Sequence, residues 1–264
     1  MNETALRRVA AGKVKSLTQM PFTLDNGIAH RASIGLIVLA TDNTVEYEFR
    51  KMLAIDGVAF YETRIRNAAE INPTTLAEME KGMAAAAGLI LPDIKLDVVA
   101  YGCTSGTVVI GEEKVFARIR EARPDVACTT PITGAIAAFK ALGAKRIALL
   151  TPYIEEVNQM LRGFIEARGI DVPVMGSFNH ENDNEVARIS QDSIKQAVRK
   201  LVTADKIDAV FVSCTSLRVA TIAEELEREV GIPVTSSNHA MAWHCLRLAG
   251  YREPVPGLGR LFRI

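Results

Sequence analysis

Short apolar runs alternate along this chain with longer segments whose apolar residues recur at helical spacing. The runs at 33–40, 59–65, 96–102, 125–129, 146–151, 173–178, 208–213 and 232–235 read as strands. Most hold a continuous apolar stretch of three or more residues beside polar ends, as suits strands buried on both faces. The intervening segments 44–54, 74–89, 112–122, 132–142, 154–168, 190–203, 218–230 and 239–248 read as helices. In the last of these Ala240, Trp243 and Leu246 share a face and Gly250 closes the segment. Strict strand–helix alternation predicts an α/β fold with parallel, doubly wound sheets.

The pattern is also duplicated. Leu96-Asp97-Val98-Val99-Ala100-Tyr101-Gly102-Cys103-Thr104-Ser105 returns as Ile207-Asp208-Ala209-Val210-Phe211-Val212-Ser213-Cys214-Thr215-Ser216. The opening strands, Ser33–Thr41 and Arg146–Thr151, match as well. Each cysteine is followed by a helix and a short strand ending in hydroxyls, Cys128-Thr129-Thr130 or Thr235-Ser236-Ser237, and then by a helix closed at Gly143 or Gly250. A period of roughly 110 residues is too long for a solenoid, so the halves form two similar lobes related by a pseudo-two-fold axis. The expected division is an extension at 1–31, a first lobe at 32–130 joined by about 238–264, and a second lobe at 131–237, with the active site between the lobes.

Length and charge narrow the classes. A chain of 264 residues holds one large domain or two lobes. Zero formal net charge offers no basic field for nucleic acid or an anionic membrane. No run approaches the ~20 apolar residues of a membrane span, and the N-terminus lacks the pattern of a secretory signal. Four cysteines at 103, 128, 214 and 245 make neither a disulfide framework nor a zinc pattern and suit a reducing compartment. The expectation is a cytoplasmic homo-oligomer. The histidines at 30, 180, 239 and 244 have no metal-ligand spacing. Gly102-Cys103-Thr104-Ser105-Gly106 lacks the Gly-Lys-Ser/Thr of a phosphate loop, and no GxGxxG follows the first strand. No metal or cofactor is expected.

A cysteine at the C-terminal end of a parallel strand stands where ligands bind in such sheets. Backbone N–H groups of a following helix would lower its pKa toward the thiolate, and the adjoining hydroxyls can hold a carboxylate or developing enediolate. Two such thiols facing each other across a cleft suit racemisation, cis–trans isomerisation or facially selective proton delivery to a small planar substrate. Cys245, within an Ala/Leu helix, reads as packing, as does Cys128.

Gly102-Cys103-Thr104-Ser105, Thr151-Pro152-Tyr153 with Asn158, and Ser213-Cys214-Thr215-Ser216 followed by Val230-Gly231-Ile232-Pro233-Val234-Thr235-Ser236-Ser237 resemble the aspartate/glutamate racemase superfamily. The likeness is greatest to its maleate isomerase and arylmalonate decarboxylase branch and spans about residues 33–250. It implies a cofactor-independent enzyme with its site between two α/β lobes. By that resemblance Cys103 is the nucleophile and Cys214 the opposed acid/base, Thr104 and Ser105 belong to an anion-binding loop with Thr215 and Ser216 as its counterpart, and Tyr153 holds a substrate carboxylate. Asn43 and Asn184 match the substrate-binding asparagines, although Asp42 replaces the small hydroxyl residue usual before the first. Arylmalonate decarboxylases keep only the second cysteine, so the presence of both counts against that activity. The reaction implied is maleate to fumarate. A racemase of aspartate, glutamate or hydantoins, an ectoine-utilisation enzyme and a non-enzymatic binding protein are the alternatives.

Overall fold

The computed structural model describes residues 17–264 except residue 181. Eight strands form two four-stranded, wholly parallel sheets. The first contains β1 (Ala32–Leu39), β2 (Val58–Ile65), β3 (Val98–Tyr101) and β4 (Ala127–Thr129) in the order β2-β1-β3-β4. The second contains β5 (Arg146–Thr151), β6 (Asp171–Ser177), β7 (Ala209–Val212) and β8 (Val234–Ser236) in the order β6-β5-β7-β8. The spatial order is therefore the same in both halves, as the duplicated pattern requires. Every residue of β3 and β7 is buried, which accounts for their lack of polar alternation.

Helices α1 (Val45–Met52), α2 (Pro73–Glu78), α3 (Met83–Leu89), α4 (Thr104–Ile110), α5 (Glu112–Ala122) and α6 (Pro131–Leu142) accompany the first sheet in sequence. Helices α7 (Glu155–Glu166), α8 (Asp183–Val186), α9 (Gln191–Val202), α10 (Ala223–Val230) and α11 (Ser237–Leu248) accompany the second. Three details depart from the sequence reading. The helix expected over 74–89 is divided by a 3₁₀ turn at Met79–Gly82, where Gly82 lies close against Ile65. The segment 218–230 is helical only from Ala223. Helix α4 starts directly after Cys103, ahead of the helix expected over 112–122.

Helix α6 follows β4 but sets Phe139 edge-on to Phe211 of β7, with ring centroids 5.6 Å apart. Helix α11 follows β8 and packs on α1, β3 and β4 of the first sheet. The two helices touch where Gly134 meets the backbone of Ala240; a Cβ on Gly134 would stand 2.7 Å from that carbonyl oxygen. Of the expected N-terminal extension, residues 1–16 lie outside the described residues, and 17–31 contribute no helix or strand. Among the described residues no helix is long and apolar enough to cross a membrane, and no cluster of His, Cys, Asp and Glu could hold a metal ion.

Candidate active site

The strand order reverses direction of growth between β1 and β3, and again between β5 and β7. Loops diverge at such switch points and leave a crevice. Cys103 follows β3 at the first and Cys214 follows β7 at the second, and both open onto one cleft of about 400 Å³, the space including its mouth. Both cysteines are buried. Leu39, Ile71, Leu76 and Met79 form an apolar wall, while Thr104, Ser105, Thr215 and Tyr153 supply polar groups.

The cysteine loops differ in backbone. Cys103 is extended, and its Sγ caps α4 by accepting the Gly106 N–H at 3.2 Å, with Ser105 Oγ 3.9 Å away. Thr107 Oγ1 donates to the Cys103 carbonyl at 2.6 Å. Gly106 is required for this fit, since a Cβ there would lie 2.8 Å from Cys103 Sγ and from the Tyr101 hydroxyl. Cys214 has φ 126°, a conformation sparsely populated by side-chain-bearing residues. Its N–H is fixed by Ser237 Oγ at 2.9 Å.

Tyr153 follows β5. Its N–H is accepted by Thr151 Oγ1 at 3.2 Å and its carbonyl accepts the Asn158 side-chain amide at 2.8 Å. Asn158 thus fixes the Thr151-Pro152-Tyr153 turn and does not line the cleft. Burial raises the Tyr153 phenol well above its ordinary value, and charge on Cys214 or Cys103 raises it further. The phenol is consequently a hydrogen-bond donor throughout the neutral range.

The thiols do not have the lowered pKa expected from their position before a helix. Burial pushes Cys103 up to about 12, outweighing the Gly106 N–H and Ser105 hydroxyl that favour the thiolate. Burial, with the charge of Asp183 next, pushes Cys214 up as well. In a cleft this closed, lost hydration dominates the few available donors.

Three expected residues, Asn43, Asn184 and Ser216, do not line the cleft. Asn43 is exposed and borders a surface hollow with Tyr47 and Gln191. Asp42 turns inward in its place, its Oδ1 accepting the N–H groups of Thr44 and Val45 at 2.7 and 2.8 Å. Asn184 is also exposed, and its neighbour Asp183 lines the cleft. Here Asn182 Oδ1 takes the N–H groups of Asn184 and Glu185, and the turn directs Asp183 inward. Ser216 is buried behind the cleft, donating to Asp183 Oδ1 at 2.6 Å. Asn67 at the cleft wall was not anticipated, for it follows β2 in a loop with no periodic signal. Ser237 was visible only as part of the hydroxyl-rich end of β8. Cys128 and Cys245 are buried outside the cleft.

With this geometry in place, sequence comparison decides the relationship: the model of the arylmalonate decarboxylase family matches residues 62–262. The chain belongs to that family. A maleate isomerase of Nocardia farcinica is 29% identical to it over 241 residues, covering 87% of this chain and 95% of that protein. An arylmalonate decarboxylase of Bordetella bronchiseptica is 34% identical over 137 residues, covering 51% of this chain and 57% of the other. In structure, a cysteine-to-serine variant of the Nocardia farcinica maleate cis-trans isomerase, carrying a covalently bound succinylcysteine intermediate, superposes with a TM-score of 0.78 at 26% identity, covering 88% of this chain and 98% of that one. The chain is thus similar to proteins of both kinds, an isomerase along most of its length and a decarboxylase along about half.

Proposed function

We propose that this family member is a cofactor-independent isomerase of a small carboxylate that converts maleate to fumarate through Cys103 and Cys214. The observation that carries this reading is the burial of both thiols in one cleft with the Tyr153 donor. The decarboxylase reading lacks that support, because a single thiol suffices to deliver one proton.

In the reaction, the Cys103 thiolate adds to one alkene carbon and the π electrons move onto the other carbon and its carboxylate as an enediolate. The former double bond is now single and rotates. Collapse of the enediolate expels Cys103 and leaves the trans alkene. Gly106 N–H and Ser105 Oγ stabilise the Cys103 thiolate, and Tyr153 donates to a carboxylate as charge accumulates there. The Cys214 thiol protonates the enediolate carbon to give a succinyl adduct that holds the intermediate while the bond rotates, and the Cys214 thiolate takes that same proton back before Cys103 is expelled.

Proton NMR of maleate, aspartate, glutamate, hydantoin and an arylmalonate with the enzyme tests this reading. Maleate conversion that is abolished by Cys103→Ala and by Cys214→Ala is the expected result. Turnover above about a tenth of wild type in either variant removes that cysteine from the mechanism, because a tenfold loss is only ~1.4 kcal/mol of barrier.

A further inference from the structure

Asp183 is the unexpected carboxyl group in the cleft. Its side chain is buried, with 6% of the residue exposed. Thr41 Oγ1 donates to Oδ2 and Ser216 Oγ to Oδ1, each at 2.6 Å. A carboxylate can accept about four hydrogen bonds, so two hydroxyls leave acceptor capacity at an atom pair bordering the cleft. Among the described residues no lysine, arginine or histidine lines the cleft, and Asp183 has no cationic partner. A second carboxyl, Asp42, lies close by with Oδ2 unpaired and buried. Burial raises Asp42, and the Asp183 charge raises it further.

A buried carboxylate without a counter-ion is costly, and a ligand that supplies N–H donors relieves it. A second carboxylate placed at the same end would do the opposite, adding a like charge in a water-poor space. The thiol loops, with their hydroxyls and N–H groups, remain suited to one carboxylate.

We propose that Asp183 is a specificity residue that favours a substrate with one carboxylate and an N–H-bearing nitrogen, as amide or ammonium, at its other end over the corresponding dicarboxylate. This rests on the reading of the cleft as the substrate site of an isomerase. Maleamate is then handled in preference to maleate, although both carry the alkene that Cys103 attacks.

Saturated analogues separate recognition from chemistry, because none has a double bond to react. Binding of succinate, succinamate and 4-aminobutanoate to the intact protein is measured by calorimetry, alongside the Asp183→Asn variant. Succinamate is expected to bind at least about tenfold more tightly than succinate, equivalent to ~1.4 kcal/mol, and Asp183→Asn is expected to abolish or invert that ratio. The 4-aminobutanoate arm shows whether positive charge adds to N–H donation. Succinate binding as tightly as succinamate, undetectable binding of both, or an unchanged ratio in Asp183→Asn overturns the proposal. Should that variant not fold, the wild-type ranking decides alone. Maleate turnover accompanied by the wrong ranking defeats only the specificity assignment, whereas the right ranking with no turnover of maleate or maleamate defeats only the isomerase reading.

Discussion

Thr104 and Ser237 are joined through their hydroxyls at 2.7 Å, and the same Ser237 oxygen accepts the backbone N–H of Cys214 at 2.9 Å. A single side chain thus ties the loop of one thiol to the loop of the other. Ser237→Ala removes both bonds while leaving every cleft-lining side chain in place. Turnover should fall by about 10- to 100-fold, the scale of a misplacement near 1 Å, with a smaller change in KM. A KM increase at constant kcat would instead assign Ser237 to substrate binding.

Cys214 holds φ 126°, for which glycine has no steric penalty and alanine has the full one. Cys214→Gly should therefore unfold at a higher denaturant concentration than Cys214→Ala, by about 1 kcal/mol or more, although both lack the thiol. Equal stability of the two variants would show that the turn relaxes in the alanine protein.

Burial of Cys103 makes a specific demand on its reactivity. With its pKa pushed up to about 12, the thiolate fraction grows tenfold per pH unit across the neutral and mildly alkaline range. Alkylation of Cys103 by iodoacetamide, followed by peptide mass spectrometry, should be slow at pH 7 and rise with that slope to pH 10 without levelling off. A plateau near pH 8 would mean that the thiol is solvated or paired in solution.

Isomerisation in which Cys214 takes back the hydron it gave leaves both C–H bonds of the substrate intact, whereas racemisation breaks the α-C–H bond at every inversion. Maleate turned over in D2O should give fumarate with little deuterium at early times, and L-aspartate and L-glutamate should show no α-exchange. Rapid α-deuteration of an amino acid with maleate untouched would transfer the assignment to a racemase using the same two thiols.

Glu48 is fully buried and accepts from Ala220 N–H at 2.7 Å and the Asn238 amide at 2.8 Å. Burial nevertheless raises its carboxyl from 4.5 to about 7. The folded state then holds this proton more tightly than the unfolded chain. Its contribution to stability is full below about pH 4.5 and disappears as pH rises through 7. Glu48→Gln should flatten the decline in stability across that window, as read by urea denaturation at pH 5, 6, 7 and 8. An unchanged pH profile would place the titrating group elsewhere.

The strands and the duplicated cysteine loops were legible because apolar runs such as Val98–Tyr101 and Ala209–Val212 are buried on both faces. Helix α4 was not. Thr104-Ser105-Gly106-Thr107-Val108-Val109 is a poor helical sequence, and the segment is helical because Cys103 caps it and the surrounding elements bury it. Neither expected asparagine faces the cleft: Asn43 and Asn184 are exposed, Asp42 is buried beside the first, and Asp183 lines the cleft beside the second. Each lies in a turn, where side-chain direction follows local hydrogen bonds and no periodicity fixes which neighbour faces the interior. Burial explains the thiol pKa error too: a sequence shows the donors beside a cysteine but not the water it loses.

Helix α6 of the first half and α11 of the second pack on each other at the junction of the two sheets. Two identical half-chains joined through such a helix pair would form a symmetric dimer whose opposed thiols are identical. Strict symmetry would force both loops to have the same backbone and make either sulfur equally fit to attack or to protonate. Fusion into one polypeptide removes that constraint. One loop is a capped helix start and the other a left-handed turn pinned by Ser237, so the two sulfurs occupy unlike settings that a symmetric pair could not provide.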